Sequence, residues 1–278
     1  MIHQPVTVRL DLESLPENVA LVRAALSGIA DAVGLGDELT SDLKTALSEA
    51  CNNVALHAYE GGSGPLVTEI AVTAHGVSVS VRDEGSGLRR ISGGEDRMGL
   101  GLAVISALAS QSEFRRPEEG GTEVRMFFRR AATDQPGGVD GALTAHQHAR
   151  AAAPATVARA SDEVLISLTP VAVARYVLGR TVQAIAAASH FSITTLSDLR
   201  TANDAIARYL EDAADGIVNV AIASTAHRLE LIAAPLPAND PKSAEKVLAG
   251  VVAGFRTDRE RLCVELRDRA AQPPAPGG

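Results

Sequence analysis

The sequence predicts an α+β protein whose fold is duplicated in tandem. Three observations carry that expectation. Apolar residues in the first 130 positions switch between a period of two and a helical period, the two signatures of half-buried strands and amphipathic helices. A stretch with little apolar periodicity follows. Beyond it the earlier pattern returns at a fixed offset, the mark of a repeated unit.

Taking the elements in order, Val6, Val8, Leu10 and Leu12 alternate with polar residues and predict a strand. Two helical stretches follow, Pro16 to Val33 and about Asp42 to Tyr59, with Ser14 and Ser41 as candidate caps. Gly61 to Pro65 breaks the chain, and Val67 to Ala74 and Val77 to Val81 form a hairpin through His75 and Gly76. Asp83-Glu84-Gly85-Ser86-Gly87 ends that strand. The polar stretch Arg89 to Asp96 reads as a mobile lid, Met98 to Leu102 opens a helix that ends near Ser110, and a strand runs from Glu123 to Phe128 after Gly120-Gly121-Thr122.

These elements give a first domain over 1–130. Residues 131–162, rich in Ala and containing Gly and Pro, predict a linker. His146 and His148 within it have no acidic or thiol neighbour and are read as linker rather than as metal ligands. A second domain is expected over 163–270 and a disordered tail over 271–278, where three prolines and two glycines fall together. At an offset of 156, Asp42-Leu43-Lys44-Thr45-Ala46 matches Asp198-Leu199-Arg200-Thr201-Ala202, and Val8, Leu10 and Leu12 match Val164, Ile166 and Leu168. Thr73-Ala74-His75 matches Thr225-Ala226-His227 at an offset of 152, so the second copy is about four residues shorter in between.

Composition narrows the function. A net charge of -8 speaks against binding nucleic acid through bulk electrostatics, which needs a basic face, and points to a protein or small-molecule partner. Two distant cysteines, Cys51 and Cys263, form neither a CxxC pair nor a disulfide framework, and Cys51 is expected in the core. No run of 18 apolar residues and no basic-then-apolar start occurs, so the expectation is a cytoplasmic chain that does not span a membrane.

Chemistry-bearing residues cluster in the first domain. Glu49 and Asn53, at i and i+4, project a carboxylate and an amide from one helix face. Downstream stand Asp83, Gly85 and Gly87 after a strand, then Gly99 and Gly101 opening a helix. Singly, each glycine pair could be a plain turn or helix entry. Jointly they fit a nucleotide. A buried carboxylate at Asp83 can accept from an exocyclic amine, and Gly85 and Gly87 let a flat base approach the backbone. The amides at Gly99, Leu100 and Gly101 offer a helix N-terminus to phosphates. Magnesium needs few protein oxygens and could take Asn53, which leaves Glu49 as general base. His57, one turn beyond Asn53, is expected to pack locally rather than to act.

In this order the motifs resemble the N, G1 and G2 boxes of the GHKL (Bergerat-fold) ATPase superfamily, and Ser48 to Tyr59 is particularly similar to the bacterial anti-sigma-factor serine kinases. The resemblance implies a two-layer α/β sandwich of the GHKL ATPase type, Glu49 as base, Asn53 on magnesium and Asp83 on adenine. It also implies Arg97 at the terminal phosphate and Thr122 near adenine. A histidine kinase would place a phospho-accepting helical hairpin ahead of Glu49, where only about 45 residues stand. The implied function is an ATP-dependent protein-serine kinase whose partners are a sigma factor and an anti-sigma-factor antagonist. The alternative is an ATP-sensing module that sequesters a partner without catalysis. In the second copy Ala205, Tyr209 and Pro235 stand where Glu49, Asn53 and Asp83 stand in the first, which predicts a degenerate site without nucleotide. Because single-domain members of the family pair as homodimers, the tandem chain is expected to be a pseudo-dimer within one monomer.

Overall fold

The computed structural model describes residues 5–86, 97–130, 163–213, 216–236, 241–258 and 260–268. In the first half β1 (Val6–Glu13) leads to α1 (Asn18–Val33) and α2 (Asp37–His57), then to the hairpin β2 (Pro65–Val72) and β3 (Gly76–Asp83). The half closes with α3 (Arg97–Leu108), β4 (Gln111–Arg115) and β5 (Glu123–Arg129). The second half runs β6 (Glu163–Thr169), a short 3₁₀ turn, α4 (Ala174–Ala188), α5 (Ile193–Ala213), β7 (Val218–Thr225), β8 (Arg228–Ala234), α6 (Pro241–Leu248), β9 (Gly254–Asp258) and β10 (Arg261–Arg267). Element for element, the second order is the order of the first.

All ten strands lie in one sheet, in the order β4-β5-β3-β2-β1-β6-β7-β8-β10-β9. Read outward from the centre, each side has the same order of equivalent strands. β1 and β6 pair antiparallel at the middle, and Leu10 pairs with Ile166, its own counterpart at the offset of 156. The halves are therefore related by an approximate two-fold axis through that pair. Matching backbone bonds repeat on either side: Arg130 N donates to His75 O at 3.2 Å and Asp268 N to His227 O at 2.9 Å. Gly34 ends α1 with φ of 65° and His190, at the same offset, follows α4 with φ of 60°.

Alternation sets the layers. Val6, Val8, Leu10 and Leu12 of β1 are buried in one core with Val22, Leu26 and Ile29 of α1 and Leu43, Leu47 and Ala50 of α2. The same core continues through Val164, Ile166 and Leu168 of β6 to Val177, Leu178 and Ile185 of α4.

Some local expectations change. Neither Ser14 nor Ser41 caps a helix: α1 follows Glu17 and α2 follows Gly36, neither with a side-chain cap. Ser14, 2% exposed, accepts from Gly64 N at 3.0 Å and so ties the glycine break to the end of β1. Strand β4 was not expected, because Gln111-Ser112-Glu113-Phe114-Arg115 carries a single large apolar residue. The lid at Arg89–Asp96, the linker with His146 and His148, and the tail lie outside the described residues.

Candidate nucleotide-binding site

Helix α2 buries Leu43, Ala46, Leu47, Ala50, Cys51 and Val54, and this apolar stripe fixes its rotation on the sheet. Cys51 is fully buried, and burial pushes its thiol up to about 12, so it is an inert core residue. Rotation of the stripe into the core leaves Glu49 and Asn53, both half-buried, beside α3. A Cβ placed on Gly101 would sit 3.1 Å from Glu49 Oε2 and 3.4 Å and 3.5 Å from the two Asn53 amide atoms. The missing side chain thus lets the first turn of α3 approach both polar groups. His57 is exposed in the last turn of α2 and does not pack at the site.

Asp83 closes β3 at 3% exposure. Its Oδ1 accepts from Gly85 N at 2.8 Å, its own N–H donates to Thr122 O at 3.0 Å, and the Thr122 hydroxyl bonds its carboxyl. Burial raises the carboxyl above the ordinary aspartate range, and the Gly85 and Thr122 donors pull it partly back. Two glycines make this packing possible. A Cβ on Gly85 would lie 2.1 Å from Ala58 O, and one on Gly121, whose φ is +77°, would lie 2.0 Å from Asp83 O.

The sequence reading missed Tyr59. Its hydroxyl donates to Pro65 O at 2.7 Å and accepts from Glu84 N at 2.9 Å, pinning the Asp83–Gly85 loop to the end of α2. A lone tyrosine two residues ahead of Gly61, in a chain with three tyrosines, was the available signal. Its ring also occupies the space beside Gly64, where a Cβ would come within 2.3 Å.

The structure brings Glu49, Asn53 and Gly101 together at one point and Asp83, Gly85 and Thr122 at another. Gly99 and Leu100 lie in the first turn of α3, and the Leu100 side chain is 67% exposed. Gly87 and the side chain of Arg97 lie outside the described residues. Two observations bear on the fit of a magnesium nucleotide. Asn53 Nδ2 is buried without a hydrogen-bond partner among the described residues, an orphan polar group that a ligand would satisfy. Because amide oxygen and nitrogen exchange by a simple flip, the same position can present an oxygen to a cation. The Gly101 cradle is the second, since any side chain there would fill the space next to the two polar groups. The residues present fit the group.

Comparison with known proteins decides the family. The family described as "Histidine kinase-like ATPase domain" matches residues 12–128. The "Serine-protein kinase RsbW" of Halalkalibacterium halodurans is 34% identical over 148 residues, which are 48% of this chain and 90% of that protein. The chain belongs to the anti-sigma-factor serine kinase family. Two further members are the "Anti-sigma F factor" of Thermoanaerobacter sp. strain X514, 27% identical over 43% of this chain and 90% of its own length, and the "Serine-protein kinase RsbW" of Bacillus thuringiensis, 24% identical over 47% and 90%. In this family context the matched segment contains Glu49, Asn53, Asp83, Gly101 and Thr122 together. No helix among the described residues is long and apolar enough to cross a membrane.

Second-half positions at the same offsets carry different groups. Tyr209, at the offset of Asn53, is 3% exposed. Ala205 replaces Glu49, and Pro235 follows β8 where Asp83 ends β3. Pro235 has no N–H to donate, and the backbone bond here runs from Leu236 N to Glu260 O at 2.7 Å, one residue later than the Asp83 bond.

Proposed function

We propose that this protein is an ATP-dependent protein-serine kinase that also acts as an anti-sigma factor, with one working nucleotide site per chain and the second half as a built-in partner. The observation that carries the reading is the convergence of Glu49 and the unpartnered Asn53 amide on Gly101 at the start of α3. The names of the relatives support the same activity.

In this reading the N–H groups of Gly99 and Leu100 and the positive end of α3 face the phosphates. Asp83, set by Thr122 and Gly85, accepts from the adenine amine. Asn53 would hold magnesium, which supplies charge neutralisation at the phosphates. Glu49 takes the proton of the attacking seryl hydroxyl of the antagonist as the oxygen bonds to the terminal phosphorus and ADP leaves. Little more than positioning and charge compensation is required of the protein.

The second half is a degenerate duplicate in the same proposal. Identical element order, the shared sheet and the Leu10–Ile166 pair at the offset of 156 support it. Such a chain is a monomer offering a two-lobed surface to a sigma factor, and it works in the cytoplasm, where its partners are. Incubation with labelled ATP and candidate antagonist proteins tests the kinase: serine phosphorylation is expected. Tight ATP binding with no transfer to any antagonist would favour the sequestering module instead.

A further inference from the structure

The halves meet along β1–β6 and again where α1 packs on α4. The helix contact departs from two-fold symmetry at two places. A Cβ on Gly28 would lie 2.6 Å from Tyr176 O and 2.7 Å from Val177 Cα, so the helices touch backbone to backbone there and no side chain fits. One turn on, Asp31 Oδ2 accepts from Arg180 at 3.0 Å from Nε and 2.7 Å from Nη2. At the offset of 156, Tyr176 and Arg180 correspond to Ala20 and Ala24 of α1, while Gly28 and Asp31 correspond to Ala184 and Ala187 of α4. Two copies of α1 in this arrangement would set Asp31 against Ala24 on both sides and form no ion pair. Two copies of α4 would drive the Ala184 methyl into the backbone at Tyr176. Only α1 against α4 has both the clearance and the charge pair.

We infer that the Asp31–Arg180 pair makes the first half prefer its own second half over the first half of another chain, while Gly28 bars the pairing of two second halves. The inference rests on the reading of the second half as a built-in partner and adds to it. Tethering alone makes internal pairing frequent, through an effective concentration of roughly millimolar order. These residues also make the competing pairing chemically poorer, which is how specificity is secured against a closely similar partner. Gly28 is present on both helices of an α1–α1 pair, so the choice between its own second half and another first half falls to the exposed ion pair, a preference of about several-fold. The kind of partner excluded is a single-domain kinase of the same fold, whose own first helix presents no counterpart to Arg180 if it follows the α1 pattern.

Full-length chains labelled separately with donor and acceptor dyes test this, with energy transfer after mixing and mass by light scattering as readouts. Wild type should be monomeric and show no transfer. Gly28→Leu should lower the thermal midpoint by about 5 °C, because overpacking against backbone has no room to relax, and should allow transfer through exchange of halves. Asp31→Arg and Arg180→Asp chains should each exchange weakly alone and several-fold more when mixed with one another, since the charges then match across chains. The double variant Asp31→Arg/Arg180→Asp should behave as wild type. Mixed single-charge variants that exchange no more than either alone would overturn the selectivity, and a Gly28→Leu chain with unchanged midpoint would overturn the close contact at Gly28. A wild-type dimer would instead overturn the built-in-partner reading on which it stands.

Discussion

Helices α2 and α5 are both 21 residues long, occupy equivalent places and present opposite surfaces. In α2 the positions facing the cleft are Glu49 and Asn53, half-buried beside a glycine. In α5 they are Ala205 and the buried ring of Tyr209. Strand order is the same in both halves although Ala205, Tyr209 and Pro235 stand where the first has Glu49, Asn53 and Asp83, so that order does not depend on those side chains. Packing and chemistry draw on different residues of the same helix. The apolar stripe maintains the sandwich, while two side chains and a few glycines decide whether it is a nucleotide site.

The largest effect that would sharpen this contrast is at Glu49. Glu49→Ala should lower phosphoryl transfer by about 10²–10⁴-fold and leave ATP affinity within several-fold, because a general base acts in the transition state. The equivalent change in the second half, Ala205→Glu, should alter neither. Retained turnover in Glu49→Ala would remove that residue from its role.

Asp83→Asn comes next, with ATP affinity expected to fall about ten- to a hundred-fold as the acceptor becomes a mixed donor and acceptor. It should also act on the empty protein in the opposite direction. Burial raises the Asp83 carboxyl, so its contribution to stability is fully present below the ordinary aspartate range and is lost as pH rises through the raised value. At neutral pH the ionised group therefore weighs against the fold, and Asp83→Asn should raise the nucleotide-free melting temperature there but not in acid. In the wild type, ATP affinity should fall on acidification with a midpoint above the ordinary aspartate range. Calorimetric titration and thermal melts across pH check both statements, and a lower melting temperature for the variant at pH 7 would contradict the sign.

A smaller contrast separates two glycines of positive φ. Gly121→Ala places a methyl 2.0 Å from Asp83 O, whereas Gly250 (φ +80°) faces open space. The first should cost about 2–3 kcal/mol and weaken ATP binding as well, and the second about 1 kcal/mol from backbone strain alone, by denaturant unfolding. Equal costs would mean that the close approach at Asp83 relaxes freely.

Much of this was legible in the sequence, for identifiable reasons. Alternation in β1, the strand-like runs of β2 and β3 and the i,i+4 placement of Glu49 and Asn53 are local signals, and local signals survive folding. The register of the repeat was legible too, since Val8, Leu10 and Leu12 align with Val164, Ile166 and Leu168 without a gap. Strand β4 was not, because an edge strand with one buried neighbour needs little apolar character. The start of α2 was placed late because Ser41 resembles a cap, whereas Gly36 already takes the extended conformation, ψ 153°, that begins the helix. Joining of the halves into one sheet could not be read at all. Alternation in β1 says that one face is buried and is silent on which strand lies beside it. Tyr59 was missed for a related reason: its hydroxyl bonds Pro65 and Glu84, partners that only the folded loop brings together.

The central claim is that one half of this chain carries a working nucleotide site and the other carries the same fold without one. Calorimetric titration of the full-length protein with Mg-ATP tests it most directly. One nucleotide should bind per chain, about ten- to a hundred-fold more weakly on Asp83→Asn, more weakly also on Gly121→Ala, and with unchanged affinity on Tyr209→Phe. Two nucleotides per chain, or one bound with unchanged affinity after Asp83→Asn, would contradict it.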